Sequence, residues 1–385
     1  MKNDLHYSLK TGVLEVQNLF NIHNIYVITV NLSVVILNYQ GNPLVFRCIE
    51  SVFNNSFSDY ELIFVDNNSS DGSFEKSLVI LDQKRNVKVI KNDKNVGFTK
   101  GFDIGINNSQ GKYILLLNND TVLYPDSLSN LIDFMERNPN IGLAEGRIEN
   151  ISGNSRTFSD PRISVFFGML NEARNHTFDP GPFANLERVF SPVGVWPIIR
   201  RDVYDQIGGY DNDYVHFEEI RDLAARVWIF GYEVGYVFNA VIQHVGRLTD
   251  VNTNYGKEIA QELYYHAAKN QVMFFLKNYS AKTILKYYLP YITIKTADLF
   301  YTLTVLGKAA FVAKIKAYKW ILKNISTIMY KRRIIEKNRL VTDDFIMNFL
   351  IKPNGQTLKE LLKRRNAYDR KTKDWIASSS HSRNR

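Results

Sequence analysis

The sequence predicts an α/β fold in which a mostly parallel sheet is flanked by helices, followed by a helical, basic C-terminal region. In the first 250 residues, short apolar runs alternate with helical patterns, which is typical of parallel strands joined by right-handed crossovers. The apolar runs end in polar side chains, at the edge of the sheet where ligands of such folds bind. The net charge changes sign near residue 250 and separates the two parts.

Length and composition allow a large core. The chain has 385 residues, of which 45% are hydrophobic and 13% are aromatic, so it is long enough for two units. Its one cysteine, Cys48, excludes an internal disulfide. Because Cys48 falls in an apolar helical pattern, we predict a core residue in a reducing compartment. We find no pattern of a secretory signal at the N-terminus and expect the protein in the cytoplasm.

Strands and helices alternate along the first part of the chain. The predicted strands span residues 33–38, 61–65, 87–90 and 113–117. Four helices are predicted between and after them. The first runs from Pro43 to about residue 54, the second ends at about residue 81, the third follows Gly97 and the fourth starts near Pro125. The fourth apolar run is continuous, as expected for a strand that is buried on both faces. Polar segments follow three of the strands, at Asn38-Tyr39, residues 66–71 and residues 118–120. We expect these segments to lie together at one edge of the sheet.

The chemistry is expected to centre on Asp120. This carboxylate follows the fourth apolar run and is preceded by the amides Asn118 and Asn119. A carboxylate in that place suits a hard divalent cation that carries the phosphates of a substrate. The alternative is a turn in which Asp120 caps the helix near Pro125.

Short motifs occur in a fixed order along this part of the chain. They are Asn38-Tyr39, residues 65–73, 95–98, 117–121, 200–211 and 217–219, and the segment from Gly231-Tyr232 to His244. The ordered set resembles family 2 glycosyltransferases, and most closely their bacterial and archaeal rhamnosyltransferase-like branch. The resemblance covers roughly residues 32–250. It implies the GT-A fold of nucleotide-diphospho-sugar transferases and an inverting transfer of a sugar to an acceptor hydroxyl.

The resemblance also implies a set of binding residues. Asp120 and His244 match positions that hold Mn²⁺ or Mg²⁺, although a histidine that closes a strand and bonds to backbone is the alternative for His244. The nucleotide-sugar site would comprise Asn38, Tyr39, Asp66, Asn68, Gly97, Asn118, Asn119 and Trp196. Trp196 fits a core tryptophan equally well. The donor would be a dTDP- or UDP-sugar.

Two departures from the family pattern concern the acids. Relatives usually have Asp, or Asn, where this chain has Asn118, and Asp at the last position of the motif. Here the first two positions are Asn118 and Asn119, so that only Asp120 supplies charge. Relatives also read Phe-Glu-Asp-x-Asp-Leu where residues 217–223 read FEEIRDL. Both departures leave open a second function, a non-catalytic relative that binds sugar nucleotides or glycans.

The base that accepts the proton of the acceptor hydroxyl is expected to be a carboxylate. Residues 217–223 can be aligned with the family pattern in two ways, and each alignment puts a different residue at the position of the base. Counting forward from Phe217 makes Glu219 the base and needs one inserted residue before Asp222. Counting back from Gly231 puts Ile220 in that place, and an apolar residue cannot take a proton. We therefore assign Glu219, with Asp222 in reserve and Glu218 as a further catalytic candidate. The alternative is that Glu218 and Glu219 only favour a helix N-terminus.

The C-terminal region is strongly basic. Residues 251–385 carry 26 Lys and Arg against 9 Asp and Glu, a net charge of +17. The whole chain has 48 Lys and Arg and 39 Asp and Glu, so residues 1–250 have 22 basic and 30 acidic residues, a net charge of −8. No apolar stretch is long enough to span a bilayer. Lys308, Lys316, Lys319 and Lys323 share one helical face, with Lys314 opposite. The basic clusters at 331–333 and 363–365 also favour an anionic membrane surface. The alternatives are packing on the catalytic domain and, least favoured, contact with RNA.

These observations predict the domain organisation. We expect an N-terminal extension over residues 1–30, a GT-A catalytic domain over 31–250, a helical, basic and aromatic region over 251–377 and a disordered tail over 378–385. The acceptor would be a lipid-linked or cell-surface glycan. The enzyme would therefore sit peripherally on the inner face of the cell membrane, and nucleic acid is not expected as a partner.

Overall fold

The computed structural model describes residues 30–82, 84–152, 155–161, 164–166, 169–171, 176–177, 179–215, 217–245 and 254–350. The expected N-terminal extension up to residue 29, the basic cluster at 363–365 and the expected disordered tail at 378–385 lie outside these residues.

The strands and helices follow the predicted alternation. The strands are β1 (Leu32–Asn38), β2 (Tyr60–Asp66), β3 (Val87–Lys91), β4 (Tyr113–Asn118), β5 (Thr121–Leu123), β6 (Ile141–Ser152), β7 (Ser155–Ser159), β8 (Ser164–Phe166), β9 (Met169–Asn171), β10 (His176–Thr177), β11 (Ile198–Arg200) and β12 (Glu233–His244). The helices are α1 (Leu44–Phe53), α2 (Ser73–Leu81), α3 (Phe98–Asn107), α4 (Ser127–Arg137), α5 (Arg201–Gln206), α6 (Glu219–Ile229), α7 (Asn254–Asn278), α8 (Ala281–Tyr301), α9 (Lys308–Lys323), α10 (Ile325–Lys337) and α11 (Asp343–Ile346). A π-helical turn, Thr302–Leu306, continues α8. The four strands predicted from apolar runs are confirmed to within one residue at each end.

The first four strands form a parallel unit in the order β3-β2-β1-β4. β11 lies antiparallel between β4 and β6, and β12 pairs in parallel with β6. The register places Asn38 opposite Asp66 and Leu37 opposite Asn118. The polar ends of β1, β2 and β4 therefore meet at one edge of the sheet, as the sequence predicts.

The core lies on both faces of the sheet, because side chains alternate along each strand. On one face, Val35 and Ile63 pack with α3, and on the other Val34 and Leu62 pack with α1. Cys48 of α1 belongs to the second core cluster and is fully buried. Its prediction as a core residue is confirmed.

The C-terminal region is helical, as predicted, and aromatic side chains pack its helices on each other and on the catalytic part. Phe275 of α7 stacks on Tyr291 of α8, with ring centroids 4.0 Å apart. Trp228 of α6 stacks on Phe349, with ring centroids 4.2 Å apart. Over the part of the chain that the structure describes, no helix has the length and apolar character needed to cross a membrane.

Ion pairs join the two regions, and those of Lys277 are buried. Lys277 Nζ of α7 lies 2.5 Å from Asp211 Oδ2 and 2.7 Å from Asp222 Oδ1. Lys331 Nζ of α10 lies 2.5 Å from Asp211 Oδ1 and 2.7 Å from Asp213 Oδ2. Part of the opposite charge of the two regions is therefore neutralised between them.

This packing corrects the use of the 331–333 cluster as evidence for membrane contact. Lys331 is engaged by the two aspartates, and Arg332 donates to the carbonyl oxygens of Leu276 and Tyr279. Only Arg333 of the three is exposed. Two of these cations hold α10 against α7 and the catalytic part.

We expect Lys277→Ala to lower the free energy of unfolding by about 3–5 kcal/mol, because the variant leaves two buried carboxylates without their shared cation. Lys323→Ala removes an exposed lysine at the end of α9 and is the control, with an expected change within about 0.5 kcal/mol. Urea denaturation of both variants measures the difference. Equal stability of the two would contradict the ion-pair assignment.

The same pairs predict an acid sensitivity. Burial raises the pKa values of Asp211 and Asp222, but Lys277 acting together with Lys331 on Asp211, and with Arg226 on Asp222, holds both pKa values below the ordinary range. Their stabilising effect is therefore present above about pH 4, the unfolded value, and is lost as the pH falls. Lys277→Ala should reduce this loss of stability on acidification.

Candidate active site at the carboxyl edge of the sheet

Asp120 and His244 are brought together by backbone pairing. The end of β12 runs antiparallel to β5, with His244 opposite Thr121. The N–H of Val245 donates to the carbonyl oxygen of Asp120 at 3.0 Å. This pairing sets His244 Nε2 at 3.4 Å from Asp120 Oδ2.

The surroundings of His244 orient its ring. Its Nδ1 lies 3.3 Å from Asn150 Oδ1, and because an amide oxygen only accepts, the geometry favours a proton on Nδ1. Nε2 then faces the Asp120 carboxylate. Asp120 is not a helix cap, since α4 begins at Ser127 with Asp126 as its N-cap.

The donor chemistry of this pair fits a divalent cation. A carboxylate oxygen and a neutral imidazole nitrogen are common ligands of such ions, and the two side chains are 16% and 22% exposed, so they are reachable from solvent. Within the described ranges, no cluster of three or more His, Cys, Asp or Glu side chains is arranged for a metal. A single carboxylate such as Asp120 matches the way Mg²⁺ is often bound, with substrate phosphates and water completing its shell.

The predicted nucleotide-binding residues Asn38, Asp66 and Asn119 form a chain of hydrogen bonds. Asn38 Nδ2 donates to Asp66 Oδ1 at 2.7 Å, and Asn119 Nδ2 donates to Asn38 Oδ1 at 2.8 Å. Asn38 and Asp66 are both fully buried. A Cβ at Gly41 would lie 2.0 Å from Asn38 Oδ1, so glycine is needed there. These two side chains hold the strand ends together and fix Asn119 beside Asp120.

Tyr39 and Asn68 are the exposed members of this edge. Tyr39 is 37% exposed, and Asn68 is exposed with a left-handed φ of 63°. The neighbouring Asn67 Nδ2 donates to the carbonyl oxygen of Gly97 at 3.1 Å, which ties the loop after β2 to the start of α3. Gly97 has a φ of 87°, a conformation that favours glycine.

The loop before β11 is held by a buried glutamate that sequence reasoning missed. The Glu145 carboxylate accepts hydrogen bonds from the backbone N–H groups of Val193, Gly194, Val195 and Trp196. Burial raises the pKa of Glu145 above its ordinary value, and the four N–H donors oppose that rise. The available signal was an acid directly after the apolar residues that begin β6.

Trp196 is a core residue, which corrects its expected place beside the sugar. Its side chain has no exposed surface, and its Nε1 donates to the carbonyl oxygen of Gly146 at 3.3 Å. A Cβ at Gly146 would lie 2.3 Å from the indole ring. The ring therefore has no face left for stacking on a sugar or an acceptor.

The first turn of α6 lies against this loop. A Cβ on Gly194 would come within 3.0 Å of Ile220 Cγ2, and the carbonyl oxygen of the next residue, Val195, accepts the N–H of Asn118 at 3.1 Å. The start of α6 is thereby connected through one loop to the end of β4. Ile220, the residue that counting back from Gly231 aligns with the base, is 7% exposed and packed on Gly194.

The backbone before α6 is strained. Phe217 and Glu218 have φ values of 64° and 65°, and neither is glycine. Two consecutive non-glycine residues with positive φ are uncommon, and such residues are concentrated at functional sites. Asn270 of α7 holds the turn by donating to the carbonyl oxygen of Phe217 at 2.9 Å.

The three acids of this segment have different environments. Glu218 is 5% exposed and its Oε1 lies 2.6 Å from Arg221 Nη1. Asp222 is fully buried, and although burial raises its pKa, attraction to Lys277 and Arg226 lowers it below the ordinary value. A fully buried carboxylate with a lowered pKa is a poor base. Glu219, the residue that begins the helix, is partly exposed.

Part of the chain is similar to known glycosyltransferases. Residues 33–208 match the family model described as "Glycosyl transferase family 2". An uncharacterized glycosyltransferase of Haemophilus influenzae is 31% identical over 107 residues, which is 28% of this chain and 43% of that protein. The poly-beta-1,6-N-acetyl-D-glucosamine synthase of Staphylococcus epidermidis is 23% identical over 211 residues, 53% of this chain and 47% of the synthase. The aligned segments thus span less than half the length of these relatives.

The likeness to solved structures concerns the fold. The crystal structure of GalNAc-T7 with UDP, GalNAc and Mn²⁺ superimposes with a TM-score of 0.53 at 16% sequence identity, covering 78% of this chain and 58% of that one. The mixed sheet and its flanking helices have the GT-A fold that the sequence resemblance predicts. The assignment to a rhamnosyltransferase-like branch stays a prediction.

Proposed function

From the match of residues 33–208 to the family model of glycosyl transferase family 2, we propose that this chain transfers a sugar from a nucleotide diphosphate to an acceptor hydroxyl with inversion. The observation that carries the proposal is the pair formed by Asp120 and His244, 3.4 Å apart at the carboxyl edge of the sheet. It lies beside the amide chain that ends at Asn119. A ligand site at this edge is the usual arrangement in open α/β sheets.

Asp120 Oδ2 and His244 Nε2 are the proposed ligands of Mn²⁺ or Mg²⁺. A cation bound there supplies positive charge next to the diphosphate leaving group. Asn150 keeps the imidazole turned toward Asp120. Such a partner behind a ligating histidine fixes its tautomer and orientation.

The exposed residues of the edge are proposed to bind the nucleotide sugar. Tyr39 and Asn68 are accessible, Gly97 allows a close approach of the backbone, and Asn118 and Asn119 adjoin the cation ligands. The buried Asn38 and Asp66 are assigned a positioning role, since their polar atoms bond to each other and to Asn119. Trp196 is left out of the proposed site.

Glu219 is proposed to accept the proton of the attacking hydroxyl. It is the partly exposed acid at the start of α6, whose first turn lies against Gly194. Glu218 and Asp222 are assigned to holding α6, through Arg221 and through Lys277 and Arg226 respectively. The strained turn before the helix fixes the direction in which Glu219 leaves the backbone.

We propose a UDP-sugar as the donor, with a dTDP-sugar as the second choice. The support is that GalNAc-T7 was crystallised with UDP and GalNAc and that one relative is an N-acetylglucosamine polymer synthase. A lipid-linked or cell-surface glycan is proposed as the acceptor, which places the enzyme peripherally on the inner face of the cell membrane.

A second candidate function is a non-catalytic relative that binds sugar nucleotides. It is favoured by Ile220, which occupies the position of the base when residues are counted back from Gly231. It is also favoured by Asn118 and Asn119, which leave Asp120 as the sole carboxylate of its motif.

Slow hydrolysis of donors tests the proposed function. The full chain is incubated with a panel of UDP- and dTDP-sugars with Mn²⁺, and with a chelator as the control. We expect release of UDP or dTDP from one donor class, dependent on Mn²⁺, since water can replace the acceptor hydroxyl. Binding of a nucleotide in calorimetry without hydrolysis of any donor would favour the non-catalytic candidate.

A further inference from the structure

The outer face of α8 carries an apolar stripe. Its exposed members, with the exposed fraction of each residue, are Leu285 (80%), Tyr288 (53%), Leu289 (74%), Ile292 (47%), Phe300 (69%) and Leu303 in the π-helical turn (45%). At about 100° per residue these side chains fall within an arc of about 120°. Exposed apolar side chains gathered on one face of a helix mark an interaction site more often than scattered hydrophobic residues do.

The opposite face of α8 is fixed to the protein. Thr283, Tyr291 and Lys295 are buried, and Tyr291 stacks on Phe275 of α7. Lys295 Nζ donates to Gln271 Oε1 at 2.5 Å. Because the buried face of α8 packs on α7, the apolar stripe on its opposite face points away from α7.

The charge around the stripe has one sign. Between Asn278 and Glu336 the sequence has eleven basic residues and one acid, Asp298, and Asp298 Oδ2 lies 2.5 Å from Lys314 Nζ. The exposed lysines of α8 and α9 are Lys282, Lys286, Lys308, Lys316, Lys319 and Lys323. The shared face predicted for four lysines of α9 is confirmed by their exposure, and by the burial of Lys314. Lys282 and Lys286 lie about 60° and 100° around the helix from Leu285, on one side of the stripe.

We propose that the outer face of α8 is a docking surface for an anionic lipid bilayer, with its apolar stripe inserted among the headgroups and Lys282 and Lys286 contacting lipid phosphates. An interfacial helix of this type buries its apolar side about 5–10 Å into the headgroup region, and lysines beside it add attraction to anionic lipids. The inference deepens the proposed function by naming the surface that would bring the enzyme to a lipid-linked acceptor.

Charge distinguishes this occupant from a second copy of the chain. A symmetric contact between two such faces places the same surface of each copy against the other, so that both copies would bring their positive charge to the contact. Like charges in close contact oppose association. An anionic bilayer is complementary to both the stripe and the lysines.

Co-sedimentation of the full chain with vesicles tests the proposal, using phosphatidylglycerol mixed with phosphatidylcholine, and phosphatidylcholine alone. We expect binding to the anionic vesicles, weaker at high salt because the charges lie within a Debye length of the lipid phosphates. Leu285→Asp combined with Leu289→Asp should lower the partition coefficient about tenfold or more. Lys282→Glu combined with Lys286→Glu should lower it at low salt and have less effect at high salt.

Val79→Asp is the matched control, because Val79 is a 77% exposed apolar residue on α2, and we expect it to bind like the original chain. Failure of the original chain to bind, or binding by the α8 variants equal to the control, would overturn the proposal. So would a dimer in sedimentation velocity without lipid that the α8 variants dissociate, since the occupant would then be a second copy. Vesicle binding needs no turnover, so it can succeed where donor hydrolysis fails, and the reverse.

Discussion

Glu219→Gln is expected to lower turnover by about a hundredfold or more, the usual range for loss of a general base, with donor binding nearly unchanged. The glutamine keeps the size and the hydrogen-bonding capacity of the side chain but cannot take the proton of the acceptor hydroxyl. Glu219 is partly exposed, whereas Glu218 is 5% exposed and Asp222 fully buried. Steady-state kinetics with the donor found in the hydrolysis screen measures the change.

Glu218→Gln and Asp222→Asn are the comparison variants. Asp222→Asn weakens the contacts with Lys277 and Arg226, so we expect it to reduce stability more than the turnover of the folded fraction. Thermal unfolding of each variant is measured beside its kinetics. If folded Asp222→Asn loses more turnover than Glu219→Gln, the alignment counted from Gly231 is right and the base assignment is wrong.

The sheet could be predicted because its strands are chemically simple. A parallel strand covered by helices on both faces needs apolar side chains at every position, so the run that forms β4 stands out in the sequence. Its end is equally clear, since the run stops at Asn118 and Asp120 follows. The edge that gathers Asn38, Asp66 and Asn118 then follows from parallel pairing alone.

The pairing of Asp120 with His244 could not be derived from the residues alone. The two are far apart in the chain, and their contact depends on the short β5 pairing with the far end of β12. Resemblance to a family supplied His244 as a candidate, and the backbone register explains how the two side chains meet. A strand of three residues has too little pattern to be recognised in a sequence.

The partners of charged and aromatic side chains were also hidden from sequence. Trp196 lies between Val195 and Pro197 in the chain, and this local sequence does not show that its ring enters the core over Gly146. From the sequence, Asp222 is the second candidate for the catalytic base, and Lys331 belongs to a basic cluster expected at a membrane. In the structure both form ion pairs between regions that are distant in sequence. Such pairs are set by tertiary packing, which has no short-range signature.

Asp120→Asn is expected to remove Mn²⁺-dependent turnover and to leave the fold intact. The carboxylate charge is lost from the proposed cation site, and an asparagine amide is a much weaker ligand for a hard cation. The fold should persist because the link between Asp120 and β12 is made by its backbone carbonyl oxygen, which accepts the N–H of Val245 at 3.0 Å. Far-ultraviolet circular dichroism and thermal unfolding check that the variant is folded.

A direct readout of cation binding separates this effect from a general loss of activity. Binding of Mn²⁺ in the presence of UDP, followed by electron paramagnetic resonance, should be lost in Asp120→Asn and weakened in His244→Ala. Asp126→Asn is the matched control, because Asp126 is an exposed acid six residues further along the chain, and it should bind Mn²⁺ like the original chain. Undiminished turnover and Mn²⁺ binding by Asp120→Asn would remove the cation assignment. Because His244 faces the same carboxylate, loss of binding in both variants but not in the control would localise the cation between these two side chains.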